Sequence, residues 1–215
     1  MVKHQINYRH EKKFIIEKKF QFSLIKNLLE NNFIVKYPDR KINNIYFEDF
    51  YFNAYKDNYE GFSKREKIRI RWYGDTYAES MKNLEFKVKK EDTNFKEIFS
   101  LGKCKFYSNI ERNNFDNLFR SLNNKVKNRI QNKVPVVFNR YNRSYFFNEK
   151  LQIRITIDND LRFKSLLSSS ETLEDNLVIE IKYDNKNNFI NFLNFNLQLS
   201  KYSKFMSGLE IDFEK

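Results

Sequence analysis

Residues 65–74 carry four cationic side chains at alternate positions of one predicted strand. The segment reads Arg-Glu-Lys-Ile-Arg-Ile-Arg-Trp-Tyr-Gly, so Arg65, Lys67, Arg69 and Arg71 share one face, whereas Ile68, Ile70 and Trp72 share the other. Like charges along one strand repel each other unless an anion binds among them. The pattern fits an anion-binding face and, if the strand stood alone, it would equally fit a solvated outer face.

Four other segments repeat the alternation of charged and apolar residues. They are residues 8–15, 84–89, 151–158 and 177–183, and each predicts a strand with one charged face. Neighbouring strands of one sheet would place these charges side by side, where like pairs are destabilising. A closed sheet resolves the conflict if its polar face points inward around a polyanion and helices cover its apolar outer face.

The composition agrees with an anionic partner. The chain has 215 residues, a formal net charge of +12 and 17% aromatic residues, so we expect one folded domain over residues 1–215. Nucleic acid, acidic lipid and phosphate compounds are the partners that such a charge attracts. A coding bias toward Lys and Asn explains part of the charge, but the arginines cluster in strand-like segments.

The numbers of cysteine and histidine residues argue against several kinds of site and favour one cellular compartment. The single cysteine, Cys104, favours a reducing compartment, and we expect a cytoplasmic protein. With only His4 and His10, neither a histidine-rich zinc site nor a Ser-His-Asp triad is expected. No window resembles a membrane span or a signal peptide. A partner protein in a membrane stays open as an alternative.

The remaining segments predict helices around the sheet. Apolar residues at helical spacing predict a helix over 21–33, a mainly helical insertion around 93–132 and a helix over 187–199. Further strands are predicted over 42–48 and 134–147, and a serine-rich loop over 164–176. Because the chain lacks a glycine-rich phosphate loop, phosphate binding must depend on cationic side chains.

The order and spacing of several motifs are similar to those of one known family. These motifs are Arg9-His10-Glu11-Lys12-Lys13-Phe14, Ile45-Tyr46-Phe47-Glu48-Asp49, Tyr59-x-Gly61 followed by residues 65–74, Leu84-Glu85-x-Lys87, Tyr141-x-Arg143, residues 154–158, Glu180-x-Lys182-Tyr183 and residues 200–208. In their order and spacing the chain resembles a VTC domain, the polyphosphate polymerase branch of the triphosphate tunnel metalloenzymes, which are related to CYTH domains. Hydrolytic relatives open with Glu-x-Glu-x-Lys, and Arg9 in place of the first Glu favours the polymerase branch.

The resemblance implies an α+β fold. Its core is an antiparallel β-barrel tunnel of about eight strands, with a basic interior and helices wrapped around it. A narrow barrel of this kind holds side chains or one slender ligand. A linear phosphate chain is such a ligand.

The resemblance also implies roles for residues in this tunnel. The catalytic set would be Arg69, Arg71, Arg143, Arg154 and Lys204. The phosphate-binding set would be Arg9, Lys13, Lys67, Lys87, Tyr141, Lys182 and Ser203. Glu180, with Glu11 and Glu85 as further candidates, would hold Mn²⁺ or Mg²⁺, because hard cations prefer oxygen ligands.

Three functions remain open from the sequence. The first is a metal-dependent polymerase that transfers the terminal phosphate of ATP or another nucleoside triphosphate onto inorganic polyphosphate. The second is a polyphosphate- or triphosphate-binding module without turnover, and the third is a triphosphatase, which Arg9 disfavours. A nucleic-acid partner is not expected, because no recognition helix or aromatic base-stacking motif is visible.

Overall fold

The computed structural model describes residues 3–7, 10–91, 93–107, 112–183 and 197–213. The strands are β1 Lys3–Asn7, β2 His10–Glu17, β3 Ile34–Glu48, β4 Lys64–Tyr73, β5 Ser80–Lys90, β6 Thr93–Cys104, β7 Val134–Asn148, β8 Ile153–Ser165, β9 Glu171–Glu174, β10 Asn176–Tyr183 and β11 Gln198–Leu199. The helices are α1 Gln21–Glu30, α2 Asn53–Tyr59, α3 Arg112–Phe119, α4 Asn124–Ile130 and α5 Lys204–Glu210.

All described strands belong to one antiparallel sheet. Its order is β1-β6-β5-β4-β3-β7-β8-β10-β2-β11, and β9 pairs with β8 outside this path. The expected α+β fold with a roughly barrel-shaped, curled sheet is confirmed, but the sheet has eleven strands rather than about eight. Within the described ranges no hydrogen-bonded pair joins β1 to β11, so the sheet curls without a closed ladder.

The stretch from residue 93 was predicted wrongly. Strand β6 occupies Thr93–Cys104, and only α3 and α4 form the helical part of the predicted insertion. The spacing of Phe95, Ile98 and Phe99 is compatible with a helix, but β6 pairs with β5 along its length, and the Phe99 ring packs edge-on against Phe86 at 5.7 Å. Tertiary pairing therefore overrides the local pattern.

Two segments near the end of the chain contain short strands that the sequence did not predict. The loop predicted over 164–176 contains the short strand β9. Most of the helix predicted over 187–199 lies outside the described residues. Its last two residues, Gln198 and Leu199, form β11 and pair with β2.

Most apolar residues of the sheet point outward and are covered by helices, whereas Val137 and Phe163 share the face of Arg69 and Arg71 and pack against α5. Leu24 and Leu28 of α1 are fully buried against a cluster that includes Phe14 and Ile155. On another part of the outer face, α3 and α4 cover a cluster that includes Trp72. Among the described residues, none of the helices has the length and apolar character needed to span a bilayer.

Arg129 anchors α4 to the outer face of the sheet. Its guanidinium pairs with Glu66 of β4 and with Glu97 of β6, and it stacks 3.8 Å from the ring centroid of Phe86. Charged residues of β4 therefore have different roles on the two faces of the strand. Glu66 points outward and binds a helix, whereas the charged residues on the opposite face point into the barrel.

Helix α5 packs against one end of the barrel. Phe205 and Leu209 are buried in a cluster with Val137 and Phe163, and the Phe205 ring lies 5.5 Å from that of Tyr46 on β3. Ser203 caps the helix by accepting a hydrogen bond from the Met206 amide at 3.4 Å. This packing fixes the first turn of α5 beside the barrel interior.

A substitution at Gly208 tests the close contact between α5 and the sheet. A Cβ at this position would overlap Val137 Cγ1 and lie 3.3 Å from Phe163 Cδ1. We expect Gly208→Ala to lower the free energy of unfolding by about 1–3 kcal/mol through overpacking. Alanine favours a helix over glycine by about 1 kcal/mol, so a gain in stability in denaturant melts would contradict the packing.

Candidate active site

The antiparallel register places charged side chains of neighbouring strands on one face. Lys67 of β4 lies opposite Lys87 of β5, which in turn lies opposite Lys96 of β6. Arg69 lies opposite Glu85 in the same ladder. Directly opposed residues in antiparallel strands project to the same side, so these five side chains share the face that the outer helices do not cover.

The strands on the other side of the barrel continue this face. Glu180 of β10 lies opposite Lys13 of β2, and Lys182 lies opposite both Glu11 of β2 and Arg154 of β8. Arg154 is exposed, whereas Lys13, Glu180 and Lys182 are partly shielded. Its alignment with Lys182 puts it at the margin of the charged surface rather than in its centre.

The two sides meet across the barrel. The Nζ atom of Lys87 on β5 lies 4.0 Å from Glu11 Oε1 on β2, although these strands are not neighbours in the sheet. Lys67 Nζ donates to Ser203 Oγ at 2.8 Å, and Lys13 Nζ donates to the Tyr202 carbonyl at 3.1 Å. The charged face is therefore the inside of the barrel, and the segment before α5 lies against it.

Arg69 is held by a carboxylate. Its Nη2 and Nε atoms lie 2.6 Å and 2.8 Å from Glu85 Oε2, and Lys96 Nζ lies 3.4 Å from Glu85 Oε1. Burial raises the pKa of Glu85, but Arg69 and its cationic neighbours outweigh burial and lower this pKa to about 2. Glu85 is thus a fixed anion that orients Arg69 and Lys96.

Arg71 is buried without a carboxylate partner among the described residues. Its Nε donates to Asn44 Oδ1 at 2.7 Å, and its Nη2 donates to the Tyr141 hydroxyl at 3.1 Å. The Asn44 amide is fixed in turn by Asn139 Oδ1 at 2.7 Å. Neutral acceptors position this guanidinium without forming an ion pair with it, which suits the binding of an anion.

Asp158 joins two of the predicted catalytic residues. Arg143 binds both of its oxygens, at 2.5 Å and 2.7 Å, and Lys204 Nζ lies 2.6 Å from Oδ2. The Asp158 side chain is only 1% exposed. Burial raises the pKa of Asp158, but Arg143 and Lys204 outweigh it and hold this pKa below its ordinary value. The first residue of α5 is thereby tied to the barrel wall.

Glu11 and Glu180 form a second anionic centre among lysines. Lys182 Nζ lies 2.9 Å from Glu180 Oε1 and 3.5 Å from Glu11 Oε2, and Lys13 Nζ lies 3.6 Å from Glu11 Oε1. Burial raises the pKa of Glu180, but Lys182 and other cations outweigh it and hold this pKa well below its ordinary value. Burial and Glu180 raise the pKa of Glu11, yet the surrounding lysines keep it lowered.

The groups around Glu180 include oxygen atoms of the kind that a hard divalent cation prefers. Thr156, its partner on β8, has a buried hydroxyl without a hydrogen-bond partner among the described residues. The described residues contain no cluster of three or more His, Cys, Asp or Glu side chains that could hold a metal. Glu180 and Glu11 could therefore supply part of a coordination shell, which phosphate oxygens would have to complete.

Two lysines on this face, Lys67 and Lys87, have lowered pKa values. Burial lowers the pKa of Lys67, and Lys13, Lys87 and further cations lower it in addition, so it lies well below its ordinary value. The Lys87 side chain is 45% exposed, yet the enclosing barrel wall lowers its pKa mainly by desolvation. A phosphate group bound near this solvent-accessible ammonium would offset the repulsion from the surrounding cations.

Cations outnumber carboxylates on the interior surface. Among the described residues, the cations named above on this face exceed the carboxylates, and one of them, Lys87, is exposed: Lys13, Lys67, Arg69, Arg71, Lys87, Lys96, Arg143, Lys182 and Lys204 against Glu11, Glu85, Asp158 and Glu180. The structure brings together all of the predicted site residues except two. Arg154 is exposed at the margin, and Arg9 lies outside the described residues.

Sequence reasoning missed three contributors to this interior. Lys96 was hidden in the region predicted as helical, although Asn94, Lys96 and Ser100 share one strand parity. Asp158 was noticed as a polar strand residue, but nothing in its neighbourhood along the chain identifies Arg143 and Lys204 as partners. Tyr46 accepts a hydrogen bond from Arg69 Nη1 at 3.3 Å, which only the β3–β4 register reveals.

A curled antiparallel sheet with a cationic interior and external helices defines a protein of the triphosphate tunnel class. The chain belongs to the VTC domain family, whose model matches residues 8–213. No match was found among curated proteins.

Solved structures share the fold at low sequence identity. A protein from Hippeastrum, named as a candidate adenylyl cyclase with a dominant triphosphatase activity, has a TM-score of 0.57 and 12% identity, and the match covers 93% of this chain and 94% of that one. A protein from Pyrococcus horikoshii has a TM-score of 0.54 and 14% identity, covering 95% and 99%. A candidate adenylate cyclase from Vibrio parahaemolyticus has a TM-score of 0.51 and 11% identity, covering 94% and 97%.

The pKa of Glu85 predicts an acid-sensitive contribution to stability. Because this pKa falls from an ordinary 4.5 to about 2, its stabilisation is complete above pH 4.5 and is lost as the pH falls toward 2. The contribution is on the order of 3 kcal/mol. Unfolding free energies of the wild type and Glu85→Gln should therefore differ at pH 7 and converge below pH 3.

The exposed Glu30, changed to glutamine, provides a control for the loss of one carboxylate. Its difference from the wild type should stay small across the same pH range. If the gap between the wild type and Glu85→Gln stayed constant down to pH 2, the pairing of Glu85 with Arg69 would not stabilise the fold in this way.

Proposed function

We propose that this protein is a metal-dependent inorganic polyphosphate polymerase. The observation that supports this most is the excess of cations over carboxylates inside the barrel, where the arginines are oriented before any ligand binds. Arginine binds phosphate oxygens in a bidentate manner, and lysine adds a compact point charge. A linear polyanion with several phosphates matches an elongated cationic interior better than a single phosphate group does.

The proposed reaction transfers the terminal phosphate of ATP or another nucleoside triphosphate. A terminal oxygen of the polyphosphate chain attacks the γ-phosphorus and forms a new P–O bond. The bond from the γ-phosphorus to the β–γ bridging oxygen breaks, and the nucleoside diphosphate leaves with that oxygen. Because the attacking oxygen is already anionic, the step needs positioning and charge neutralisation more than a strong general base.

The interior residues fall into two proposed roles. Arg69, Arg143 and Lys204 are held by carboxylates, so they would act as fixed donors whose direction changes little on binding. Arg71 and Lys67 have only neutral partners among the described residues, so they would supply most of the net attraction. Arg154 would extend the phosphate-binding surface outward, and Arg9 stays a proposed phosphate-binding residue outside the described residues.

Lysine, tyrosine and serine side chains would complete the phosphate contacts. Lys13, Lys87 and Lys182 surround the acidic pair, and Tyr141 and Ser203 present hydroxyl groups beside Arg71 and Lys67. Glu180, with help from Glu11, would hold Mn²⁺ or Mg²⁺, which neutralises charge on bridged phosphates when bound. Glu85 is engaged with Arg69 and Lys96 and would orient them.

Arg69→Ala tests whether the interior is the phosphate site. Loss of a charge-assisted contact should weaken tripolyphosphate binding by about 1.5–3 kcal/mol in calorimetry. Arg140 is exposed on β7, so Arg140→Ala gives the same change in net charge away from the proposed interior contacts. Equal losses in the two variants would mean that tripolyphosphate responds to overall charge rather than to this interior.

Glu180→Gln tests turnover separately from binding. The change is nearly isosteric and removes one negative charge from a cationic enclosure, so tripolyphosphate affinity should persist. Polymer formation from ATP and Mn²⁺, followed on polyacrylamide gels, should be lost with the metal-binding carboxylate. Glu171→Gln, on the exposed strand β9, should retain wild-type polymer formation.

The wild-type gel also distinguishes the other two functions. Release of inorganic phosphate from ATP without any longer product would replace the polymerase by a triphosphatase. Binding of tripolyphosphate without ATP consumption, with either Mn²⁺ or Mg²⁺, would establish a binding module instead. Turnover in Glu180→Gln equal to that of the wild type would refute the proposed metal role of Glu180.

A further inference from the structure

A group of three tyrosines surrounds Arg40 at one end of the cationic interior. The Arg40 guanidinium lies 5.4 Å, 5.8 Å and 5.6 Å from the ring centroids of Tyr37, Tyr73 and Tyr145. The rings of Tyr37 and Tyr145 meet edge to face at 5.7 Å. We call these four residues the tyrosine collar; they come from β3, β4 and β7.

The backbone of β3 is irregular where it contributes to the collar. Tyr37 and Arg40 are three positions apart, so a regular strand would send their side chains to opposite faces. Register shifts interrupt the β3–β7 ladder between Val35 and Tyr37 and again between Tyr37 and Arg40. Such irregularities redirect side chains, and here both reach the same ring cluster.

The collar adjoins the phosphate-binding surface. Tyr73 is two residues beyond Arg71 on β4, and Arg40 is the strand partner of Arg143. Burial raises the pKa of Tyr145, while Arg143 and Arg40 lower it and Tyr73 raises it, with the net effect upward. Tyr145 is therefore the collar residue that is close to both Arg40 and the interior Arg143.

The collar is at the opposite end of β4 from helix α5. Lys67, which contacts Ser203, precedes Tyr73 by six positions, or roughly 20 Å of extended strand. Tyr73 is 42% exposed and Tyr37 is 48% exposed. The aromatic surface thus lies at the end of the interior that α5 does not cover, where part of a ligand could project out of the barrel.

The phosphate chemistry described above does not require these aromatic rings. Among the described residues no carboxylate pairs with Arg40, although it lies next to Arg143 in the ladder. Exposed aromatic rings and a planar guanidinium beside a phosphate site are the groups on which nucleobases stack. Inorganic polyphosphate has no π face and would gain nothing from the rings.

We propose that the tyrosine collar binds the base of the nucleoside triphosphate whose phosphates enter the barrel. This inference rests on the proposed function and specifies its donor as a nucleotide rather than an inorganic triphosphate. The base would stack on the Tyr73 and Arg40 surface, and its phosphates would lie toward Arg71 and Arg143. The ribose would bridge the short stretch of β4 between them.

The test compares two ligands on one set of variants. Calorimetry measures the binding of tripolyphosphate and of an ATP analogue whose β–γ bridge cannot be cleaved. Tyr73→Leu removes the ring without altering charge, so the analogue should bind at least about fivefold more weakly while tripolyphosphate binding stays unchanged. Tyr73→Phe keeps the ring and should retain wild-type affinity for both ligands.

Tyr107 provides the matched control. It is also an exposed tyrosine beside a cation, with Lys105 Nζ at 5.6 Å from its ring centroid, but it lies outside the collar. Tyr107→Leu should leave both affinities unchanged. Unaltered tripolyphosphate binding in Tyr73→Leu also shows that the variant is folded.

Other outcomes overturn the inference in distinguishable ways. Equal losses for both ligands in Tyr73→Leu, or no loss for either, would show that the collar only packs the end of the barrel. If the wild type bound tripolyphosphate but not the ATP analogue, the nucleotide site would be wrong and the anion site would stand. If the wild type bound neither ligand, the proposed function would fail as well.

Discussion

Mutual repulsion among the cations inside the barrel is the constraint on which this structure depends. The sheet curls so that Lys13, Lys67, Lys87 and their neighbours face one another, and their charges cannot be solvated as fully as on an open surface. Four carboxylates moderate the repulsion, and three of them, Glu11, Glu85 and Asp158, each contact more than one cation. The remaining excess of positive charge makes an empty barrel less favourable than one that contains a polyanion.

The interior cations also differ in whether a carboxylate holds them in place. Asp158 holds Arg143 and Lys204 together, so the same ion pairs that offset repulsion tie α5 to the barrel wall. Arg71, in contrast, is directed by an amide and a phenol, which orient a guanidinium without neutralising it. A phosphate chain would meet donors that are already aligned, which lowers the ordering cost of binding.

The scaffold is shared with proteins at 11–14% identity, so the fold survives replacement of most side chains. In this chain the fold is a curled sheet with helices over its apolar outer face and an enclosed polar face. Chemistry then depends on which residues occupy the enclosed face, and similarity of fold alone does not transfer an activity. The balance of arginines, lysines and carboxylates is therefore the feature from which function is proposed here.

The sequence by itself determined which faces of the strands are charged, because a period of two is a local property of an extended backbone. It also indicated the family, since the motifs lie in order along the chain. Strand β6 was missed because the spacing of Phe95, Ile98 and Phe99 suits a helix until β5 competes for the backbone. The pairing of Asp158 with Lys204 and the convergence of Tyr37 with Tyr73 depend on register and bulges between distant segments. Only the tertiary structure decides these contacts, because no local pattern encodes the alignment of one strand against another.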